Sequence, residues 1–266
     1  MNILCPTDFS VNAELATQFA IDLSKRSNGK LYCFHSYDIP YSDRSLSTSL
    51  VDVMRKNAEE NMSIFKRKLN AQYGEAHTEV RMGNPIRITK EIVKKHAIDL
   101  VVMGTKGASG LEEFLIGSNA ASVIQNVDIP VYVIPPKSQL KPIKKIVLAS
   151  DLDLKNKERP IVRLRQFADL YGATIDIVHI KKDGDDSTEN EAFLERVLGD
   201  TPHSYTAIHN ENVENAILNE CESRDADVLA AITKRYGFFE GLFHQSFTSK
   251  LAYHSTIPLL ALHEPK

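Results

Sequence analysis

No apolar run in this sequence approaches the roughly eighteen residues that a membrane helix needs, so a spanning segment is not expected. Charge of one sign is missing as well. Thirty-two Lys and Arg face 35 Asp and Glu for a formal net charge of -3, without the basic excess that marks a nucleic-acid-binding domain. Cysteine is scarce and odd in number: Cys5, Cys33 and Cys221. The first two sit in apolar strand patterns and the third in a helical one, which predicts reduced, buried thiols rather than a disulfide framework. The first residues, MNILCPTDFS, enter a strand-like pattern at once, where a signal peptide would show an apolar helical core. These absences point to a cytoplasmic globular protein with no nucleic-acid or membrane partner.

What is present is a repeat. NILCPTD, ending at Asp8, matches KIVLASD, ending at Asp151. KLYCFHSY around His35 matches TIDIVHIK around His179. AIDLVVMGTKG matches ADVLAAITKR with Asp99 on Asp227, and IPVYVIP from Ile129 matches IPLLALH from Ile257. The offset is 143 to 144 at the first two landmarks and 128 at the last two, so the second copy is about sixteen residues shorter. Four landmarks in one order identify a tandem duplication. The expected boundaries are residues 1–136 and 142–266, with the Pro- and Lys-rich PPKSQLKP between them as linker.

Strand and helix patterns alternate within each copy. Val11, Leu15, Phe19 and Leu23 make a helical stripe behind a Ser10 cap. Leu50, Met54, Ala58, Met62, Phe65, Leu69 and Tyr73 predict a long amphipathic helix stopped at Gly74, and Pro85 starts a third. Ile161, Leu164, Ala168 and Tyr171 are the matching first stripe of the second copy. The strands, such as LVVMG and VYVI, are unbroken apolar runs, as expected where helices cover both faces of a parallel sheet. The fold class is therefore α/β, with two tandem doubly wound open parallel sheets, each βαβαβαβαβ. VYVI and LLAL close the two copies, and apolar edge strands need a partner, so the copies are expected to pair through them.

The chemistry lies in GTKGASGLEEFLIGSNAASVI, which leaves the fourth strand at Gly104. Glycines permit positive φ and close approach of bare backbone amides. A Gly-Ser pair at a helix start adds open amides where the dipole favours anions. The stretch is a candidate phosphate cradle, and simple turns are its bland rival. It is neither a Walker loop nor the dinucleotide GxGxxG. Because the loop lies outside the core, Gly104→Val and Gly117→Val are expected to abolish ligand binding and leave the fold intact.

The spacing Gly104-x2-Gly107-x9-Gly117-Ser118 resembles the ATP-binding signature of the universal stress protein family. ILCPTDFS with Asp8, the His35 strand and IPVYVIP extend the likeness, which spans nearly the whole chain as two copies. The resemblance implies an adenine nucleotide alpha hydrolase-like fold that holds ATP, alone or with Mg²⁺. Pro6, Thr7, Asp8 and Ser36 would line the nucleoside end of the cleft. Met103, Gly104, Gly107, Gly117, Ser118 and Asn119 would hold the phosphates. The family usually has an aliphatic residue where this chain has Ser36. Its single-domain members dimerise through the fifth strand, so a homodimer of the chain stays open. Their roles are stress adaptation and nucleotide binding more than turnover. A slow ATP hydrolase or phosphate-transferring enzyme is the alternative, although no arginine finger, Walker aspartate or Mg²⁺ carboxylate set can be named.

Each residue has a bland reading too. Asp8 could cap the first helix, and Lys106 could simply be solvated. His35 and His179 read as satisfied core residues, since no histidine has metal-ligand spacing. The second copy loses the signature. Gly104 becomes Ile232, Gly107 becomes Arg235 and Gly117 becomes Gln245, while Ser118 persists as Ser246. Ala108, Gly110 and Asn119 become Tyr236, Phe238 and Phe247. A second cleft closed by its own side chains is expected, with an apolar-ligand pocket as the alternative. Phe239 and Phe243 favour neither, because they match Leu111 and Leu115.

Overall fold

A computed structural model describes residues 1–38, 48–105, 117–150, 157–181, 188–210, 212–233 and 257–264. The chain order is β1 (Ile3–Pro6), α1 (Val11–Arg26), β2 (Leu31–Tyr37), α2 (Thr48–Tyr73), β3 (His77–Met82), α3 (Pro85–Lys95), β4 (Leu100–Gly104), α4 (Ser118–Asn126) and β5 (Val131–Ile134). It continues with β6 (Lys145–Ser150), α5 (Glu158–Asp169), β7 (Thr174–Lys181), α6 (Thr188–Leu198), β8 (His203–His209), α7 (Val213–Ser223), β9 (Val228–Thr233) and β10 (Leu259–His263).

Local signals explain where helices begin and end. The Ser10 hydroxyl accepts the Ala13 N–H at 3.2 Å and caps α1. Asn84 accepts the amides of Ile86 and Arg87 ahead of Pro85, whose fixed φ suits a first helical turn. α2 ends at Gly74, which has φ +100°, a value that only glycine adopts freely. The stripe expected from Val11 is one residue out of phase at its start. Val11 is 86% exposed, while Asn12, Ala13, Ala16, Phe19, Ala20 and Leu23 are buried. The Ser10 cap fixes the phase of the first turn and turns Val11 outward. Leu50 is likewise exposed, in the first turn of α2.

The strands form one ten-stranded sheet in the order β3-β2-β1-β4-β5-β10-β9-β6-β7-β8. From either edge inward the order is third, second, first, fourth and fifth strand of one copy, so the two doubly wound units have the same topology. Neighbours within a unit run parallel. At the seam β5 and β10 are antiparallel, with Val131 opposite Ala261, Tyr132 opposite Leu260 and Val133 opposite Leu259. The two apolar fifth strands cover each other's open edge, as their sequences suggested.

Both faces are covered by helices. A single apolar cluster on one face runs from Ile3 in the first unit to Leu262 in the second. Tyr132 is its keystone. Its ring meets Phe19 of α1 edge-on at 6.0 Å and Phe167 of α5 at 5.2 Å. Beside it the Tyr171 hydroxyl donates to Asp22 at 2.8 Å, and the Arg26 guanidinium stands 4.5 Å above the Tyr171 ring. Burial, followed by the nearby Asp22 carboxylate, pushes the Tyr171 phenol well above its ordinary range. Cys5, Cys33 and Cys221 are buried free thiols, and burial pushes Cys221 up to about 12.

Candidate functional site

Sheet order fixes where a ligand can enter. β1 and β4 lie side by side, yet the chain leaves β1 toward β2 on one side and leaves β4 toward β5 on the other. The crevice outside the carboxyl ends of such strands is where open α/β sheets bind ligands. Pro6, Thr7 and Asp8 follow β1 into this crevice, and Met103 and Gly104 end β4 next to it.

The turn after β1 is tightly specified. Thr7 is buried; its hydroxyl accepts the Phe9 N–H at 3.0 Å, and its own N–H bonds the Phe34 carbonyl at 2.9 Å. One Asp8 carboxylate oxygen accepts the Ser10 N–H at 3.0 Å. The capping alternative for Asp8 falls to its neighbour: Ser10 caps the helix, and Asp8 shapes the turn ahead of the cap. Phe9 takes φ 63°, a left-handed conformation that a bulky residue adopts only when packing enforces it. Its ring lies 4.5 Å from His35 and 6.0 Å from Phe65.

His35 Nδ1 lies 2.8 Å from the Thr7 carbonyl, and His179 Nδ1 lies 3.0 Å from the Ser150 carbonyl. A carbonyl only accepts, so in both cases Nδ1 carries the proton. The recurring histidines are matching struts from the second strand to the end of the first. Ser36 follows His35 on β2, in register with Arg81 of β3, one strand further from the crevice than Pro6 to Asp8.

On the other side, Gly117 is the N-cap of α4, with Ser118 and Asn119 exposed in its first turn. α1, α3 and α7 have side-chain caps from Ser10, Asn84 and Asn212, whereas Gly117 has none to offer. Among the described residues no N-cap side chain bonds the first amides of α4, and a helix start of this kind suits an anion. The Gly117 N–H bonds the Thr105 carbonyl, so the loop that leaves β4 and the helix that ends it are fastened at one point. Lys106, Gly107, Ala108, Gly110, Leu111 and Leu115 lie outside the described residues, as do Asp151, Arg235, Tyr236, Phe238, Phe239, Phe243, Gln245, Ser246 and Phe247.

The described glycines act differently from expectation. Gly117 has φ -55°, and Gly104 is not among the positive-φ glycines either. Gly104 is required by crowding. A Cβ there would stand 2.6 Å from Asn12 Oδ1 and 2.8 Å from Asn12 Cγ. The expectation that Gly104→Val leaves the fold intact is therefore wrong, because this glycine packs against a buried helix residue. Sequence reasoning also missed Asn12, Thr105 and Ile134. The visible signal was a polar residue at position 12 in phase with Ala16, Phe19 and Leu23.

The strand register supports the alignment of the two copies. Ile3 pairs with Leu100 and Ile146 with Val228; Gly104 pairs with Ile134 and Ile232 with Leu262. Ile232 therefore holds the position of Gly104, and its side chain is buried. Lys157, at the N-cap of α5, is also buried, with Nζ 3.7 Å from Glu264 just beyond β10.

A model of the universal stress protein family matches residues 1–135. A universal stress protein of Methanocaldococcus jannaschii is 33% identical over 143 residues, 52% of this chain and 84% of the relative. Among solved structures, a universal stress protein from Archaeoglobus fulgidus superposes with a TM-score of 0.76 at 20% identity, covering 100% of this chain and 97% of the other. A functionally unknown protein from Pseudomonas aeruginosa gives 0.59 at 13% identity, covering 99% and 92%. The two structures share the two-unit fold.

Proposed function

We propose, from the premise that this chain belongs to the universal stress protein family, that it binds ATP in its first unit and serves as a cytoplasmic stress-response protein. The nucleotide-binding domain is residues 1–136. Residues 142–266 form a degenerate partner domain that supplies the pseudo-dimer seam and no second nucleotide site. Pro6, Thr7, Asp8 and Ser36 take the nucleoside end; Met103, Gly104, Gly107, Gly117, Ser118 and Asn119 take the phosphates.

The observation that carries this reading is the opening of α4 toward the crevice between β1 and β4, with Gly117 in place of a side-chain cap. A helix start of this kind offers oriented N–H groups and a favourable dipole to a phosphate. The second unit differs at the strand end that matters: buried Ile232 stands in the place of Gly104. The three buried free thiols fit a reducing compartment, and no helix among the described residues is long and apolar enough to cross a membrane.

Binding, rather than turnover, is the role proposed. Equilibrium dialysis with ATP, followed by a phosphate-release assay on the same samples, separates the possibilities. The reading expects retained ATP with negligible release. Sustained release would transfer the chain to the hydrolase alternative, and no retention would end the nucleotide reading.

A further inference from the structure

Asn12 occupies an unusual position for an amide. It is the second residue of α1 and only 8% exposed, on the face that packs against the sheet. Its Nδ2 donates to the Ile134 carbonyl at 3.0 Å, in a buried bond. The same carbonyl accepts the Thr105 N–H at 3.1 Å, and the Thr105 carbonyl in turn accepts the Gly117 N–H. One oxygen at the end of β5 thus ties together the start of α1, the exit of β4 and, through Thr105, the start of α4. The Asn12 amide also lies against Gly104, close enough that a Cβ there would meet Oδ1 at 2.6 Å.

We infer that Asn12 is a positioning residue that fixes the base of the β4–α4 loop against the start of α1. The inference rests on the nucleotide reading above and adds a residue to it that does not touch the ligand. The start of α1 follows directly on Thr7 and Asp8, the nucleoside end. Thr105 and Gly117 bracket the phosphate end. A ligand that spans both ends binds well only if their separation is held, because hydrogen bonds to phosphate weaken with small displacements.

The test uses the full chain with Asn12→Asp, which keeps the shape and removes the donor, and Asn12→Ala, which removes the group without adding charge. Amide hydrogen exchange at Thr105 and Gly117 is read first, then affinity for ATP and for adenosine by NMR titration. Exchange at both amides should accelerate. ATP should bind about tenfold more weakly, the scale of one lost hydrogen bond, while adenosine, which reaches only one end, stays within about twofold. Unchanged exchange in both variants overturns the inference whatever the ligand does. Equal losses for ATP and adenosine overturn it too, since that pattern reports a loosened fold. A parent chain that binds no ATP defeats the nucleotide reading separately, and the exchange result still decides whether Asn12 holds the loop base.

Discussion

Replacing Gly104 by alanine adds one methyl group, and the structure sets what that methyl must displace. It would stand 2.6 Å from Asn12 Oδ1, 2.8 Å from Cγ and 3.2 Å from the Asn12 carbonyl, where ordinary contact begins near 3.4 Å. Asn12 cannot swing aside freely, because it is buried and its Nδ2 is committed to Ile134. If the amide moves, a buried donor loses its partner, which costs on the order of 1–3 kcal/mol. If it stays, overpacking costs a similar 1–3 kcal/mol. Restricting the unfolded chain offsets less than about 1 kcal/mol. The expected net loss is roughly 0.5–2.5 kcal/mol for Gly104→Ala and more for Gly104→Val. Urea unfolding measures it, and a double-mutant cycle identifies its cause. On an Asn12→Ala background the space is already open, so adding Gly104→Ala should cost at least about 1 kcal/mol less than it does alone. A Gly104→Ala protein within about 0.5 kcal/mol of the parent would refute the reasoning, as would simple additivity of the two substitutions.

Three further outcomes follow from the fold. The Tyr132 hydroxyl is buried with no hydrogen-bond partner among the described residues, so Tyr132→Phe should leave the thermal midpoint unchanged or slightly higher; a loss above about 1 kcal/mol would reveal a partner such as an internal water. Residues 1–136 expressed alone should form a homodimer by light scattering at micromolar concentration, because β5 loses β10; a clean monomer contradicts the seam as the dimerising edge. Burial raises the Asp227 carboxyl, but Lys141 at 2.6 Å and the N–H groups of Lys144 and Lys145 outweigh it and hold the group below its ordinary 3.8. A depressed carboxylate stabilises the fold above its unfolded value and loses that contribution as pH falls through the folded value. Asp227→Asn should therefore flatten the acid limb of the stability curve below about pH 4, and parallel acid limbs for parent and variant would refute the assignment.

The fold was legible because it rests on signals that are local and repeated. Unbroken apolar strands announce a sheet covered on both faces, and a matched Asp8 and Asp151, His35 and His179 announce a second unit. The seam could be read from two short apolar strands that needed partners. The phase of α1 was not legible from apolar residues alone, because a hydrogen bond from Ala13 to Ser10 turns Val11 to solvent. The candidate site showed in the sequence as glycine spacing, but the packing reason for Gly104 did not. Positive φ is the usual explanation for such a glycine; here the cause is a neighbour 92 positions away, Asn12, which no local pattern couples to it. Ile134 and Thr105 contribute backbone atoms only, and backbone hydrogen bonds leave no mark on residue type.

Calorimetric titration of the full chain with ATP tests the central claim most directly. Ile232 stands in the place of Gly104 in the second unit, which weighs against a phosphate site there. The account predicts close to one nucleotide per chain, with binding unaffected by Arg235→Ala. A stoichiometry near two, or clear loss of binding in Arg235→Ala, would contradict it.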